Sequence, residues 1–136
     1  QIYTHPRFLP GSKINSCNVQ ASIICEGSII TQCSISNSII GVRSILSEGA
    51  EIESSIIMGA DYYDKLKDQC ETEPYIGIGR GSIIKNAIID KNARIGCNVM
   101  IINEQGIKEV NSDSYSIREG IVVVHKEAVI PDGTVI

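Results

Sequence analysis

Large aliphatic residues recur about every six positions along most of this 136-residue chain, each with a small or slim residue two places before it. The beat is clearest over 76–103. There Ile78, Ile84, Ile89, Ile95 and Ile101 follow one another at spacings of 6, 5, 6 and 6, and Ser82, Ala87, Ala93 and Val99 precede the last four. A helical stripe would recur at three and four residues and a half-buried strand at two. A period near six instead suits short strands joined by tight corners, three to a turn, which is the hexapeptide pattern of a parallel β-helix. The expected fold is all-β, a left-handed parallel β-helix.

The same beat runs earlier in the chain, from Ile14 through Val19, Ile24, Ile30, Ile35, Ile40, Leu46, Ile52 and Ile57. The small partners are Ser12, Cys17, Ser22, Ser28, Cys33, Ser38, Ser44, Ala50 and Ser55. Ile24, Ile40 and Ile57 then share one face at steps of 16 and 17 residues, so some corners are shorter than in an unbroken hexapeptide coil. The repeat resumes at Val124, Ile130 and Ile136, which gives five full coils and two sides of a sixth. Glycines at 27, 41, 49, 59, 79, 81, 96 and 133 fall near corners, where positive φ or close backbone approach favours them.

Residues 1–13, with Pro6 and Pro10 and no six-residue beat, read as an extended entry segment, and residues 14–136 are expected to form the β-helix. Two polar stretches, 60–75 and 103–120, break the beat and are expected to be loops thrown out of a corner. The abrupt start suggests a chain cut from a longer one. The final inward residue lacks a cap, so further chain or a partner is expected over that end.

Aromatic residues make up only 4% of the chain, with no Trp and one Phe, as a narrow bore filled by Ile and Val would require. The net charge of −4 argues against a general nucleic-acid binder. No apolar run approaches a membrane span, and the first ten residues lack the regions of a signal peptide, so an intracellular location is expected. Cys17, Cys25, Cys33, Cys70 and Cys97 form no CxxC pair and suggest neither a zinc site nor a disulfide framework. Cys17 and Cys33 would stack one coil apart.

The phase of the repeat yields one functional expectation. Ile89 and Val124 are both third-side residues, one coil apart, provided the 103–120 stretch replaces no strand. Lys91 and Lys126 follow them by two, so both ammonium groups project from one edge with Cα atoms ~4.8 Å apart. Like charges that close repel unless an anion or carboxylate sits between them. An anion site is one reading, and solvated corner lysines balanced by Asp90 and Glu127 is the other. His125 and His5 are more simply surface residues than bases or ligands. No nucleophile and base pair stands at readable spacing, and IGIGRG lies inside the repeat rather than in a phosphate loop.

Particular words go beyond the beat. IYTHPRFLP at 2–10, GADYY at 59–63, IGIG at 76–79, IDKNARIG at 89–96 and GIVVVHKEAVIPDGTVI at 120–136 resemble the carboxy-terminal domain of the ADP-glucose pyrophosphorylase (glucose-1-phosphate adenylyltransferase) family. The resemblance covers essentially the whole chain and is strongest to the plant and cyanobacterial branch. It implies a parent enzyme that makes ADP-glucose and pyrophosphate from ATP and glucose 1-phosphate, with Mg, in starch or glycogen synthesis. That chemistry would belong to an N-terminal catalytic domain absent from these residues, so this segment alone is expected to be inactive.

The resemblance further implies that this domain helps assemble a homo- or hetero-tetramer and contributes to an allosteric site for 3-phosphoglycerate and phosphate. Carried over by motif, the effector-binding positions are Lys91, Lys126 and Arg7, with His5 where the family usually has glutamine. The 60–75 and 103–120 stretches also look shorter than in plant relatives. Location would be the plastid stroma in a plant or alga and the cytoplasm in a bacterium. Two other readings of the same fold are a free-standing acyltransferase using His125 and coenzyme A between subunits, and a scaffold without ligand.

Overall fold

The computed structural model of the chain describes residues 8–65 and 73–136; among them are 18 strands and no helix. Sixteen of the strands stack in parallel on three faces of a prism, neighbours on a face coming from successive coils. The first face stacks β1 (Lys13–Asn15), β4 (Ile29–Thr31), β7 (Ile45–Leu46), β10 (Gly77–Ile78), β13 (Arg94–Ile95) and β18 (Val129–Ile130). The second stacks β2 (Asn18–Gln20), β5 (Ser34–Ser36), β8 (Glu51–Glu53), β11 (Ile83–Lys85) and β14 (Met100–Ile101). The third stacks β3 (Ile23–Ile24), β6 (Ile39–Ile40), β9 (Ile56–Ile57), β12 (Ala87–Ile89) and β17 (Ile121–Val124).

The aliphatic beat becomes three vertical columns. Ile14, Ile30, Leu46, Ile78, Ile95 and Ile130 align on the first face. Val19, Ile35, Ile52, Ile84 and Ile101 align on the second, and Ile24, Ile40, Ile57, Ile89 and Val124 on the third. Ile30, Ile40, Ile84 and Ile101 are wholly buried, and each such side chain contributes roughly 1.5 to 3 kcal/mol before ordering entropy is subtracted. Ile14 in the first coil is 50% exposed because, among the described residues, no strand is stacked beneath β1.

Serine at the small position has a structural reason. The Ser38 hydroxyl donates to the Ser36 carbonyl at 2.7 Å and accepts from the Ser55 amide of the next coil at 3.1 Å. Ser55 repeats the pattern, donating to Glu53 and accepting from Ala87. A hydroxyl ladder therefore satisfies backbone groups that the corners would otherwise leave orphaned inside the prism.

Corners use more than glycine. Asn37, Asn86, Asn92, Asn98 and Asn103 all adopt positive φ, the left-handed region that short polar side chains tolerate. Gly41 does not; it is required instead by close approach, since a Cβ there would lie 2.4 Å from the Met58 carbonyl oxygen.

The 103–120 stretch departs from the expected loop. It carries β15 (Glu109–Asn111) and β16 (Tyr115–Arg118), which pair antiparallel with each other and with β17. Ile117 is buried against the end of the core. The hairpin covers the outer edge of the third face, so the last coil is capped on that side. It replaces no strand of the helix, because β17 still pairs parallel with β12.

Candidate functional site

The corner after the third face collects the charged groups of interest. The register that aligns Ile89 with Val124 places Lys91 and Lys126 at equivalent positions in adjacent coils, and the Glu127 amide donates to the Lys91 carbonyl at 2.9 Å. Gly59 is the equivalent residue one coil earlier, since Ile57 aligns with Ile89. Its φ is 87°, and a Cβ would lie 2.2 Å from the Val42 carbonyl oxygen, so no side chain fits and the chain can turn sharply outward.

That outward turn begins GADYY and delivers an acid to the lysines. Asp61 Oδ1 accepts from Lys91 Nζ at 2.8 Å, and Asp61 Oδ2 accepts from Asn92 Nδ2 at 3.2 Å. Asn92 Oδ1 also takes the Asp61 backbone amide at 2.8 Å. One buried asparagine thus holds the main chain and the carboxylate of Asp61 separately. The Lys91 ammonium, helped by Asn92 and by the charge of Lys126, holds the Asp61 carboxyl below the usual carboxylate range against a smaller opposing effect of burial. Asp90 is turned onto the backbone, its Oδ1 accepting the Lys91 amide at 2.6 Å.

The described outgoing limb of the excursion is pinned at two further points, Tyr63 and Asp64. The Tyr63 hydroxyl donates to the Gly27 carbonyl at 2.6 Å, at the same corner three coils before Lys91. Arg94 grips Asp64 with both of its terminal nitrogens, at 2.7 and 2.9 Å. Residues 59–64 are therefore laid along the side of the prism by specific contacts.

Of the residues singled out in the sequence, Lys91 and Lys126 come to one corner, while His5 and Arg7 lie outside the described residues. His125, beside Lys126, faces the hairpin instead. Its Nδ1 lies 3.1 Å from the Asp113 carbonyl and its Nε2 2.7 Å from the Ser116 hydroxyl. A carbonyl can only accept, so Nδ1 carries a proton, while the Ser116 hydroxyl can pair with Nε2 in either role. Both ring nitrogens are engaged internally. Cys17, Cys25, Cys33 and Cys97 are free thiols, and Cys70 lies outside the described residues.

Sequence reasoning missed Asp61 and Asn92. Neither sits at an inward position, and their only signal was their place in GADYY and IDKNARIG. A groove of about 370 Å³ lies elsewhere on the surface, lined by residues including Tyr75, Arg80, Cys97 and Asp132, and neither lysine borders it.

A three-sided stack of parallel strands with in-register aliphatic columns defines a hexapeptide β-helix domain. The family model described as the GLGC left-handed parallel beta-helix domain matches residues 7–135. The chain is also 52% identical, over 142 aligned residues, to the glucose-1-phosphate adenylyltransferase small subunit, chloroplastic/amyloplastic, of Triticum aestivum. That alignment takes in 99% of this chain and 30% of the relative's length. The chain belongs to the GLGC left-handed parallel β-helix domain family, the β-helix domain of ADP-glucose pyrophosphorylase.

Proposed function

We propose that this chain is the regulatory and assembly domain of a glucose-1-phosphate adenylyltransferase and contributes an anion site at the Lys91 and Lys126 corner. The observation that carries this reading is the alignment of Ile89 with Val124, which stacks the two lysines one coil apart. Two ammonium groups at that spacing suit a phosphoryl group better than a single carboxylate, because one dianion can face both. In the parent protein the site would take 3-phosphoglycerate as activator and inorganic phosphate as inhibitor. Arg7 and His5, carried over from the family motif, would complete it.

The reaction itself, joining ATP and glucose 1-phosphate into ADP-glucose with release of pyrophosphate, belongs on this reading to an N-terminal catalytic domain. ATP and Mg would be held there. The β-helix would join subunits into a homo- or hetero-tetramer, and the relative's chloroplastic/amyloplastic name supports a plastid location.

Thermal unfolding tests the anion site. Anything that binds the folded state alone stabilises it by RT ln(1 + [L]/Kd), so phosphate at ten times its Kd adds about 1.4 kcal/mol. Millimolar phosphate should raise the melting temperature by a few degrees, and Lys91→Ala with Lys126→Ala should abolish the rise. An unchanged melt in the unmodified protein would leave the scaffold reading in its place.

A further inference from the structure

The Lys91 and Lys126 corner already holds an anion, and it comes from the chain itself. Asp61 reaches Lys91 Nζ at 2.8 Å from one coil below, at the root of the 60–75 excursion. We propose that Asp61 is a built-in competitor at this corner: its carboxylate pairs with Lys91 at rest, and a phosphoryl ligand binds by displacing it. This rests on the anion-site reading above and adds to it the residue that sets affinity and selectivity.

Three observations support displacement rather than a permanent structural pair. The Asp61 side chain is 41% exposed and that of Lys91 29%, so both can move without opening the core. The backbone at Asp61 is held independently, through its amide on Asn92 Oδ1, so rotating the side chain away leaves the main chain anchored. Asp90, the other nearby acid on the Lys91 coil, is committed to the Lys91 amide and does not take the ammonium group. Lys126 stands at the equivalent position one coil on and adds a smaller electrostatic pull on the same carboxylate.

Selectivity follows from the exchange. A ligand gains only the difference between its own attraction to two ammonium groups and that of the carboxylate it removes. A monoanion such as acetate replaces like with like and gains little. A dianionic phosphoryl or sulfate group gains a second charge. Asp61 would therefore reject free carboxylates while admitting phosphoryl compounds, at the cost of weaker binding to both.

The test is a calorimetric titration of the protein with inorganic phosphate, sulfate and acetate, before and after Asp61→Asn. The variant is isosteric and can still accept from Asn92 Nδ2. It should bind phosphate roughly tenfold more tightly, about 1.4 kcal/mol, and the preference for phosphate over acetate should shrink. If Asp61→Asn fails to fold, Asp61→Ser removes the same charge. Carbon-13 NMR of the Asp61 carboxylate in the unmodified protein should also shift as phosphate is added.

Phosphate binding that is lost in Lys91→Gln, yet equal or weaker in Asp61→Asn, would overturn the competitor and keep the anion site. No phosphate binding in any form, including Asp61→Asn, would overturn both.

Discussion

Arg94 and Asp64 are joined by two parallel bonds of 2.7 and 2.9 Å, with their side chains 18% and 9% exposed. The same guanidinium donates to the Pro74 carbonyl at 3.0 Å, and Asp64 Oδ2 accepts the Ile76 amide at 2.8 Å. One arginine on β13 thus fastens both the outgoing and the returning limb of the chain's first excursion. Arg94→Ala should cost about 2 kcal/mol in urea unfolding, below the 3 to 5 typical of a fully buried pair because this one is partly hydrated. Arg94→Lys keeps the charge but not the fork and should recover only part of the loss. Equal stability in all three forms would make the pair incidental.

The serine ladder can be tested one rung at a time. Ser55→Ala deletes a hydroxyl that donates to Glu53 at 2.7 Å and accepts from Ala87 at 3.1 Å, leaving an interior amide without its acceptor. The expected loss is about 1 to 3 kcal/mol. Ser34→Ala, on an exposed position of the preceding coil, should change the melt little. Matching melts for the two variants would remove the ladder from the account of stability.

Ile89 carries the third column past the lysine corner and is 2% exposed. Ile89→Val should cost on the order of 1 kcal/mol, and Ile89→Asp should open the stack, because a carboxylate there has no partner and no water. Circular dichroism of Ile89→Asp that remained native, with an unshifted melt, would contradict the inward position.

Cys33 supplies a pH signature on the alkaline side. Burial, and secondarily Cys17 in the coil below, push its thiol up to about 11. The folded value lies above the unfolded value of about 8.5, so the unfolded chain releases its proton first. The stability tied to Cys33 is therefore complete below about pH 8.5 and is lost as pH climbs toward the folded value. The melting temperature should fall over that window, and Cys33→Ala should flatten the fall. Cys33 should also resist a disulfide reagent at pH 8 until the protein unfolds.

The aliphatic columns were legible in the sequence because each coil repeats one spatial demand, a large inward residue beside a small one, at a nearly fixed interval. Shortened corners changed that interval by a residue or two without disturbing the phase, so Ile89 and Val124 aligned as expected. The β15–β16 hairpin was not legible. Its strands alternate at two rather than six and sit among polar residues, and only Ile117 is buried. The Ser112, Asp113 and Ser114 run between them is a turn signal that has no place in a six-residue beat.

Asp61 was hidden for a different reason. It lies 30 residues before Lys91 and holds no place in the repeat, so its meeting with that lysine depends on the path of an irregular segment. Periodicity describes what recurs, and this contact occurs once.

The insertion of a whole hairpin between β14 and β17 shows how a solenoid protects a site from changes in chain length. Residues can be gained or lost in that excursion while Lys126 keeps its seat above Lys91, because only the re-entry point is fixed. Removing a single side of the prism would instead swing every later residue by a third of a revolution. Length here is free to drift; angle is not.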